Sequence, residues 1–208
     1  MALSLASRLA DLRRQFRLLA RHVRYPGFTK SGRKSRAVAL ENLFLGVNAW
    51  LQESGAEYFL VYGTLLGWHR EGRILGHDRD IDFGLPRADY PRLIAARKFL
   101  PEGFELWDTS WRQGGPKLYV TYRGWEADLY FFAEQEGRMR VILESDLPGD
   151  RLPFPRELLL PRQPATFLGA PTFVPAQPSA YLEHLYRYTG PDAELDPDTH
   201  YYRPRRTR

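Results

Sequence analysis

The sequence of 208 residues has no cysteine and no long apolar run. Without cysteine the chain cannot form disulfides, Cys-ligated zinc sites, iron–sulfur clusters or a thiol nucleophile. A membrane-spanning helix needs about 20 apolar residues, and the longest candidate, 59–68, is about half that length. The remaining composition, 43% hydrophobic and 26% charged, is typical of one globular domain with an apolar core.

The net charge of +5 would favour a nucleic-acid partner if it were spread evenly. It is not spread evenly. Residues 1–36 carry ten Lys/Arg and one acid, and residues 203–208 carry four arginines and no acid. Residues 37–202 therefore have a net charge of −8. Because the body of the chain is acidic, we predict no nucleic-acid partner.

The basic N-terminal segment has an apolar residue at alternating steps of four and three, which is the period of one helix face. An amphipathic helix of this kind lies on an anionic membrane surface or packs its apolar face on the protein's own core; a mitochondrial transit peptide is a lesser alternative. The sequence leaves these interpretations open. The apolar residues are Leu5, Leu9, Leu12, Phe16, Leu19 and Val23.

The rest of the chain alternates helical and strand patterns, which predicts an α/β domain with a mixed sheet. We divide the chain into a basic helix and loop (1–36), a catalytic domain (37–190) and a basic tail (191–208). A proline-rich stretch, 147–178, is expected to wrap over the surface. The predicted helices are 37–52, 64–71, 87–100 and 179–188, with a loop at 29–35. The predicted strands are 57–62, 80–85, 104–108, 117–122, 125–133 and 138–143, and a hairpin around Gly169.

Asp80 and Asp82 are the first candidates for catalysis. On a strand, residues two apart project from the same face, and two adjacent carboxylates repel each other unless a cation lies between them. Mg²⁺, and likewise Mn²⁺, is a hard ion that takes oxygen ligands and substrate phosphates. An EF-hand loop starting at Asp78 does not fit, because its glycine comes one position late and position twelve is Asp89 instead of glutamate.

A third carboxylate is expected from a neighbouring strand. Asp128 lies within the apolar segment 125–132, where an unpaired charge is costly. Glu126 shares its strand face and is the rival. We favour Asp128 because more apolar residues follow it.

Gly63 and Thr64 stand where a strand gives way to a helix. The free N–H groups and the positive dipole end of a helix N-terminus favour a phosphate. An ordinary helix start is the alternative, because Gly-Thr alone is a weak signal.

Residues 63–83 resemble the signature of the LicD/fukutin family of phosphotransferases. The resemblance rests on Gly63-Thr-Leu-Leu-Gly67, then Arg70 and Gly72, then Asp78-x-Asp80-Ile-Asp82. The chain has Gly76-His77 where the family tends to have Pro-Trp, and Arg79 in place of the middle aspartate. Outside this segment the resemblance covers residues 40–190 in outline.

The resemblance implies a nucleotidyltransferase-like fold of the DNA polymerase β type, with a mixed sheet flanked by helices. It also implies transfer of a phospho-alcohol (phosphocholine, ribitol phosphate or glycerol phosphate) from a CDP-activated donor to a glycan hydroxyl, as in the biosynthesis of cell-surface polysaccharides. The metal ligands would be Asp80, Asp82 and Asp128, the last also a candidate proton acceptor. The phosphate-binding candidates are Gly63, Thr64, Arg70, Arg79 and Lys117.

Two other functions stay open. One is nucleotidyl transfer from an NTP to a small molecule or a protein, and the other is a non-catalytic binding module of the same fold. The expected acceptor is a glycan or a lipid-linked glycan. The expected location is the cytoplasm, with peripheral contact at the inner face of the membrane through the N-terminal helix.

Overall fold

The protein was analysed as a computed structural model that describes residues 30–143 and 147–205, with side chains from residue 36 onward. The predicted amphipathic helix at the N-terminus lies outside the described residues. The α-helices are α1 (Lys30–Glu53), α2 (Tyr62–Glu71), α3 (Tyr90–Ala96), α4 (Ser110–Gln113) and α5 (Pro178–Tyr186). The strands are β1 (Phe59–Leu60), β2 (Asp80–Pro86), β3 (Phe104–Asp108), β4 (Lys117–Tyr122), β5 (Trp125–Gln135), β6 (Arg138–Val141), β7 (Phe154–Pro155), β8 (Gln163–Phe167), β9 (Ala170–Val174), β10 (Ala193–Leu195) and β11 (Tyr202–Pro204).

A seven-stranded mixed sheet organises the domain, and the predicted fold class is confirmed. Its strands follow the order β1-β2-β5-β4-β3, and β6 joins β5 and also pairs with β7. Strands β2 and β5 are parallel, whereas the other described pairs in this sheet are antiparallel. The parallel pair lies inside the sheet, so it is supported on both sides.

Helix α1 covers one face of this sheet. The ring of Phe44 stacks on that of Phe83 from β2 with centroids 5.9 Å apart, and the Trp50 indole N–H donates to the Ala96 carbonyl at 2.9 Å. Ile81 and Phe83 are fully buried. The apolar residues between the acids of β2 therefore point into the core, as the strand period predicts.

The predicted strands 104–108 and 117–122 have the observed bounds, and the turn between β4 and β5 is built by Arg123 and Gly124, both with positive φ. Positive φ at both central residues gives a turn whose twist matches that of the flanking strands. The hairpin predicted around Gly169 is also present, as β8 and β9.

Three predicted elements differ most from the structure. Helix α1 begins at Lys30, so the loop predicted at 29–35 is wrong over 30–35; each added residue extends a helix by one further hydrogen bond. Strand β1 has only two residues because α2 begins at Tyr62. The predicted helix 87–100 is α only between Tyr90 and Ala96, with a 3₁₀ turn on either side.

The region interpreted as a basic tail contains a hairpin. Strands β10 and β11 pair, and Arg203 bonds to Glu194 at 3.2 Å and to Asp196 at 3.2 Å. The Tyr202 ring meets Tyr186 of α5 edge-on at 5.7 Å. This hairpin therefore packs on the last helix of the domain. In the described ranges, no helix is both long and apolar enough to cross a bilayer.

Candidate active site

The parallel pairing of β2 with β5 brings the predicted acids together. Asp82 is the register partner of Asp128, and Asp80 is the partner of Glu126. Partners in register project from the same face of the sheet. All four carboxylates therefore lie on one face, and Phe83 points to the other face. Asp82 and Asp128 are 7% and 9% exposed, whereas Asp80 is exposed. The cluster thus has a buried floor and an open edge.

The electrostatics of the cluster are unfavourable to a charged Asp82. Burial raises the pKa of Asp82 well above its ordinary value, and the charges of Asp80 and Asp128 raise it further, while Lys117 lowers it. Binding of a cation is favourable beside a buried carboxylate that has other carboxylates around it. The cluster is therefore suited to a cationic or metal-bound ligand.

Lys117, predicted as a phosphate ligand, contributes a cation to the same face. Its ammonium nitrogen lies 3.0 Å from Asp128 Oδ1, 3.4 Å from the ring centroid of Tyr130 and 4.7 Å from that of Tyr119. The residue is 5% exposed. Two aromatic faces and a carboxylate hold the ammonium in one place, because cation–π attraction is strongest when water is excluded.

The first turn of α2 is tied directly to β2. The Thr64 hydroxyl accepts a hydrogen bond from the N–H of Asp82 at 2.9 Å, and the N–H of Val61 donates to the Asp82 carbonyl at 3.3 Å. The N–H of Leu65 closes the first turn on Val61, so the N–H groups of Gly63 and Thr64 have no partner within the helix. Gly63 and Thr64 thus lie beside the acids, as predicted.

Asp78 is part of the same corner, although no role was predicted for it from the sequence. A Cβ on Gly63 would lie 3.3 Å from Asp78 Oδ1, so the carboxyl group sits against the first turn of α2. Burial raises the pKa of Asp78 to about 6; Asp80 raises it too, while His77 lowers it. Asp78 Oδ2 is buried without a hydrogen-bond partner. The spacing Asp78-x-Asp80-x-Asp82 was the available signal.

The other charged candidates lie farther away or are exposed. Arg70 is in the last turn of α2, about 10 Å along the axis from Gly63 at 1.5 Å per residue. Arg79 is exposed between Asp78 and Asp80, and the side chain of His77 is 81% exposed, 3.7 Å from Asp78 Oδ1. The structure therefore joins Lys117, Gly63 and Thr64 to the acids more closely than it joins Arg70.

The donor chemistry of the cluster fits a hard divalent cation through two carboxylates. Among the residues that the structure describes, no group of three or more Asp, Glu or His side chains is arranged to hold a metal. Asp128 faces the Lys117 ammonium, which leaves Asp80 and Asp82 as the pair for a metal. Mg²⁺ is commonly bound by one or two carboxylates together with substrate phosphates.

The part of the sequence that forms this sheet and carries its acids matches a known domain family. The family model described as "LicD/FKTN/FKRP, nucleotidyltransferase domain" matches residues 55–177, a range that contains the acids, Lys117 and the first turn of α2. The chain therefore has a nucleotidyltransferase-like fold. It belongs to the LicD/FKTN/FKRP family.

Individual relatives are more distant. An uncharacterized protein of Rickettsia typhi is 26% identical over 153 residues, which are 74% of this chain and 47% of that protein; the chain thus spans about half the length of this curated relative. Two structures of the antibiotic-resistance factor ANT(2″)-Ia, one in solution and one with adenylyl-2″-tobramycin, are 15% and 14% identical. They cover 68% and 65% of this chain and 69% and 68% of their own, with TM-scores of 0.45 and 0.44. Similarity at that level does not bear on substrate.

Proposed function

We propose that the chain is a Mg²⁺-dependent transferase that moves a phospho-alcohol from a CDP-activated donor to a hydroxyl of a glycan or lipid-linked glycan. The observation that carries this proposal is the joint position of Asp80, Asp82 and Asp128 on one sheet face, beside the first turn of α2. Membership of the family supports group transfer. The phospho-alcohol is of the phosphocholine, ribitol phosphate or glycerol phosphate type.

Different residues of the cluster would bind different parts of the donor. Asp80 and Asp82 would hold Mg²⁺ together with phosphate oxygens; Mn²⁺ suits the same oxygen ligands. When bound, the metal supplies charge neutralisation on the diphosphate. The N–H groups of Gly63 and Thr64 would donate hydrogen bonds to phosphate oxygens at the helix N-terminus, and Lys117 would balance the phosphate charge.

In the transfer step, an oxygen of the acceptor hydroxyl bonds to the phosphorus that carries the alcohol. The bond from that phosphorus to the oxygen of the CMP leaving group breaks, and CMP departs with the electron pair. The hydroxyl proton passes to the carboxylate of Asp128, which the Lys117 ammonium holds at 3.0 Å. Positioning and charge stabilisation account for most of the catalysis in phosphoryl transfer.

The second candidate is nucleotidyl transfer, in which an NTP gives NMP to the acceptor and pyrophosphate leaves. The description of the matched domain as a nucleotidyltransferase favours it. Both reactions use the same acids and phosphate contacts. They differ in the leaving group, so product analysis separates them.

The test is a thermal-shift series with Mg²⁺ and each of CDP-choline, CDP-glycerol, CDP-ribitol, CTP and ATP. A ligand that binds only the native state at a hundred times its Kd stabilises it by about 2.7 kcal/mol. We expect a shift with a CDP-alcohol that disappears in Asp80→Asn, followed by release of CMP in the presence of acceptor. A shift with NTPs and release of pyrophosphate would establish the second candidate, and no shift with any nucleotide would overturn both.

The acceptor and the location belong to the same proposal. Lipid-linked glycans lie at membrane surfaces, and the basic N-terminal segment would hold the chain at an anionic inner face by electrostatic attraction. We therefore place the reaction in the cytoplasm, at the membrane.

A further inference from the structure

A buried carboxylate lies behind the candidate site, in the proline-rich stretch. Asp150 belongs to a 3₁₀ turn, Pro148–Arg151, and is 1% exposed. Its Oδ2 accepts a hydrogen bond from the Tyr62 hydroxyl at 2.9 Å. A buried carboxylate is strongly destabilising unless it is hydrogen-bonded or paired. The hydrogen bond from Tyr62 therefore stabilises Asp150 in its buried position.

Tyr62 has an unusual backbone. It is the first residue of α2 and has φ +49°, in the left-handed region that bulky residues rarely adopt. Such a conformation is unfavourable and persists only where the surroundings hold it. The hydrogen bond to Asp150 is one interaction that holds this side chain.

Two routes lead from Tyr62 into the site. Along the backbone, Tyr62 is followed by Gly63 and Thr64, and Thr64 binds the N–H of Asp82. Through its ring, Tyr62 meets Tyr130 edge-on with centroids 4.6 Å apart. The ring of Tyr130 also faces the Lys117 ammonium, which lies 3.4 Å from its centroid.

The turn that carries Asp150 is itself anchored on α5. A Cβ on Gly149 would lie 2.5 Å from the His184 carbonyl oxygen, so the turn packs directly on the helix backbone. His184 Nε2 donates to the Gly149 carbonyl at 2.9 Å. Asp150 is therefore a fixed point to which Tyr62 is attached.

We propose that Asp150 is a positioning residue for the transferase site: by holding the Tyr62 hydroxyl, it fixes the first turn of α2 beside Asp82 and keeps Tyr130 beneath Lys117. This inference rests on the proposed function for its catalytic meaning. Its structural content, the fixing of the first turn, is measurable whether or not the chain binds a nucleotide.

The test compares Tyr62→Phe, Asp150→Ala, Asp150→Asn and the double variant Tyr62→Phe/Asp150→Ala in the full chain. The matched control is Tyr58→Phe, which also removes one buried tyrosine hydroxyl, bonded to Asn48 Oδ1 at 2.7 Å. Tyr58 packs on Phe83, on the sheet face away from the acids. Hydrogen exchange of the hydrogen-bonded amides within 61–66, among them those of Val61 and Leu65, and of the Asp82 amide is measured by mass spectrometry without ligand.

We expect Tyr62→Phe and Asp150→Ala each to speed exchange at these amides by about three- to tenfold, the loss of one hydrogen bond. The double variant should be no faster than either single one, because both remove the same bond. Asp150→Asn, which keeps an acceptor oxygen, should stay near the wild type, and Tyr58→Phe should leave these amides unchanged. If Asp150→Ala fails to fold, the exchange rates of Tyr62→Phe and Asp150→Asn still test whether Asp150 positions the first turn of α2.

Unchanged exchange at 61–66 in folded Tyr62→Phe would overturn the positioning role, as would an equal change in Tyr58→Phe. Binding of CDP and of CTP with Mg²⁺ is measured on the same proteins. If the wild type binds neither, the proposed function fails while the exchange result still stands. If it binds, we expect about tenfold weaker binding in Tyr62→Phe and none of this loss in Tyr58→Phe.

Discussion

At the scale of single residues, Asp82 and Asp89 are two buried aspartates with opposite surroundings. Asp89 accepts the N–H of Glu57 at 2.8 Å and pairs with Arg92 at 3.0 Å. Asp82 instead lies among other carboxylates, and burial is the largest cause of its raised pKa. The same substitution should therefore have opposite effects on stability at the two positions.

We expect Asp82→Asn to abolish nucleotide binding and to lower activity by on the order of a hundredfold or more, since charge stabilisation is lost. Without divalent cations it should unfold at an equal or higher urea concentration than the wild type at neutral pH. The native state binds the Asp82 proton more tightly than the unfolded state, so the wild type loses stability as pH rises above the ordinary pKa. The advantage of Asn should therefore grow with pH.

The control is Asp89→Asn, which should cost about 1–3 kcal/mol because it weakens bonds to a buried group. It should leave nucleotide binding intact. A loss of stability in Asp82→Asn as large as that in Asp89→Asn would argue against a cation-binding role for the acid cluster.

Asp78 gives a second prediction, which concerns pH. Its pKa of about 6 in the folded state exceeds the ordinary value of 3.8, so its contribution to stability is fully present below pH 4 and is lost as pH rises through 6. The difference amounts to at most about 3 kcal/mol. Urea titrations of the wild type and Asp78→Asn between pH 4 and 8, free of divalent cations, should diverge over this range.

The matched variant is Glu102→Gln, which neutralises an exposed carboxylate. Its stability should follow the wild type across the same pH range. Parallel curves for wild type and Asp78→Asn would show that the carboxyl group is solvated and would contradict the structure at this corner.

At the scale of elements, α2 and the loop that follows it form one support for the site. The chain leaves α2 at Gly72 and returns over Gly67, where a Cβ would lie 2.6 Å from the Arg73 carbonyl oxygen and 3.4 Å from the Leu75 N atom. Only a residue without a side chain permits this close backbone approach. The return brings Asp78 and the start of β2 back to the first turn of α2.

We expect Gly67→Ala to lower the free energy of unfolding by about 1–3 kcal/mol, as overpacking does, and to weaken nucleotide binding because the loop before β2 must move. The control is Gly76→Ala, in the same loop, where a Cβ would meet nothing within 4 Å. Chemical denaturation of both variants measures the change in stability, and nucleotide titration measures the change in binding. Equal effects from the two would show that the close approach at Gly67 does not matter.

Elements were predictable where the pattern is local. Strands β3 and β4 alternate apolar residues between clear turn residues, and their predicted bounds hold. Strand β1 was predicted too long because Tyr62 belongs by composition to a strand and is instead held in a helical turn by contacts from distant parts of the chain. The intrinsic strand or helix propensity of a residue carries no information about contacts with distant parts of the chain.

At the scale of the whole molecule, the sequence predicted the fold and most of the acid cluster because Asp80, Asp82 and the Gly63–Thr64 corner lie within one short segment. Asp128 was found by a different signal, an acid inside an apolar strand. Asp150 and Tyr130 were missed, since their relation to the site exists only after β5 and the proline-rich stretch have packed. The register of β2 with β5 likewise could not be predicted from the sequence.

The charge distribution leads to one prediction for the whole chain. Deleting residues 1–25 removes six arginines and a single acid, so we expect weaker binding to vesicles that contain anionic lipid, by about 1 kcal/mol per basic residue near the surface. Co-sedimentation with anionic and with neutral vesicles measures it. If the truncated chain unfolds instead and vesicle binding is unaffected, the segment packs on the domain.

The parallel pairing of β2 with β5 also determines when the acids meet during folding. Hairpins such as β4–β5 join neighbours in sequence and close quickly, whereas β2 must wait for a partner that follows α3, β3 and β4 along the chain. Closing such a long loop costs entropy before any contact compensates for it. Since like charges converge in the same step, the acid cluster opposes its own assembly, and a cation present during folding would speed the pairing of β2 with β5.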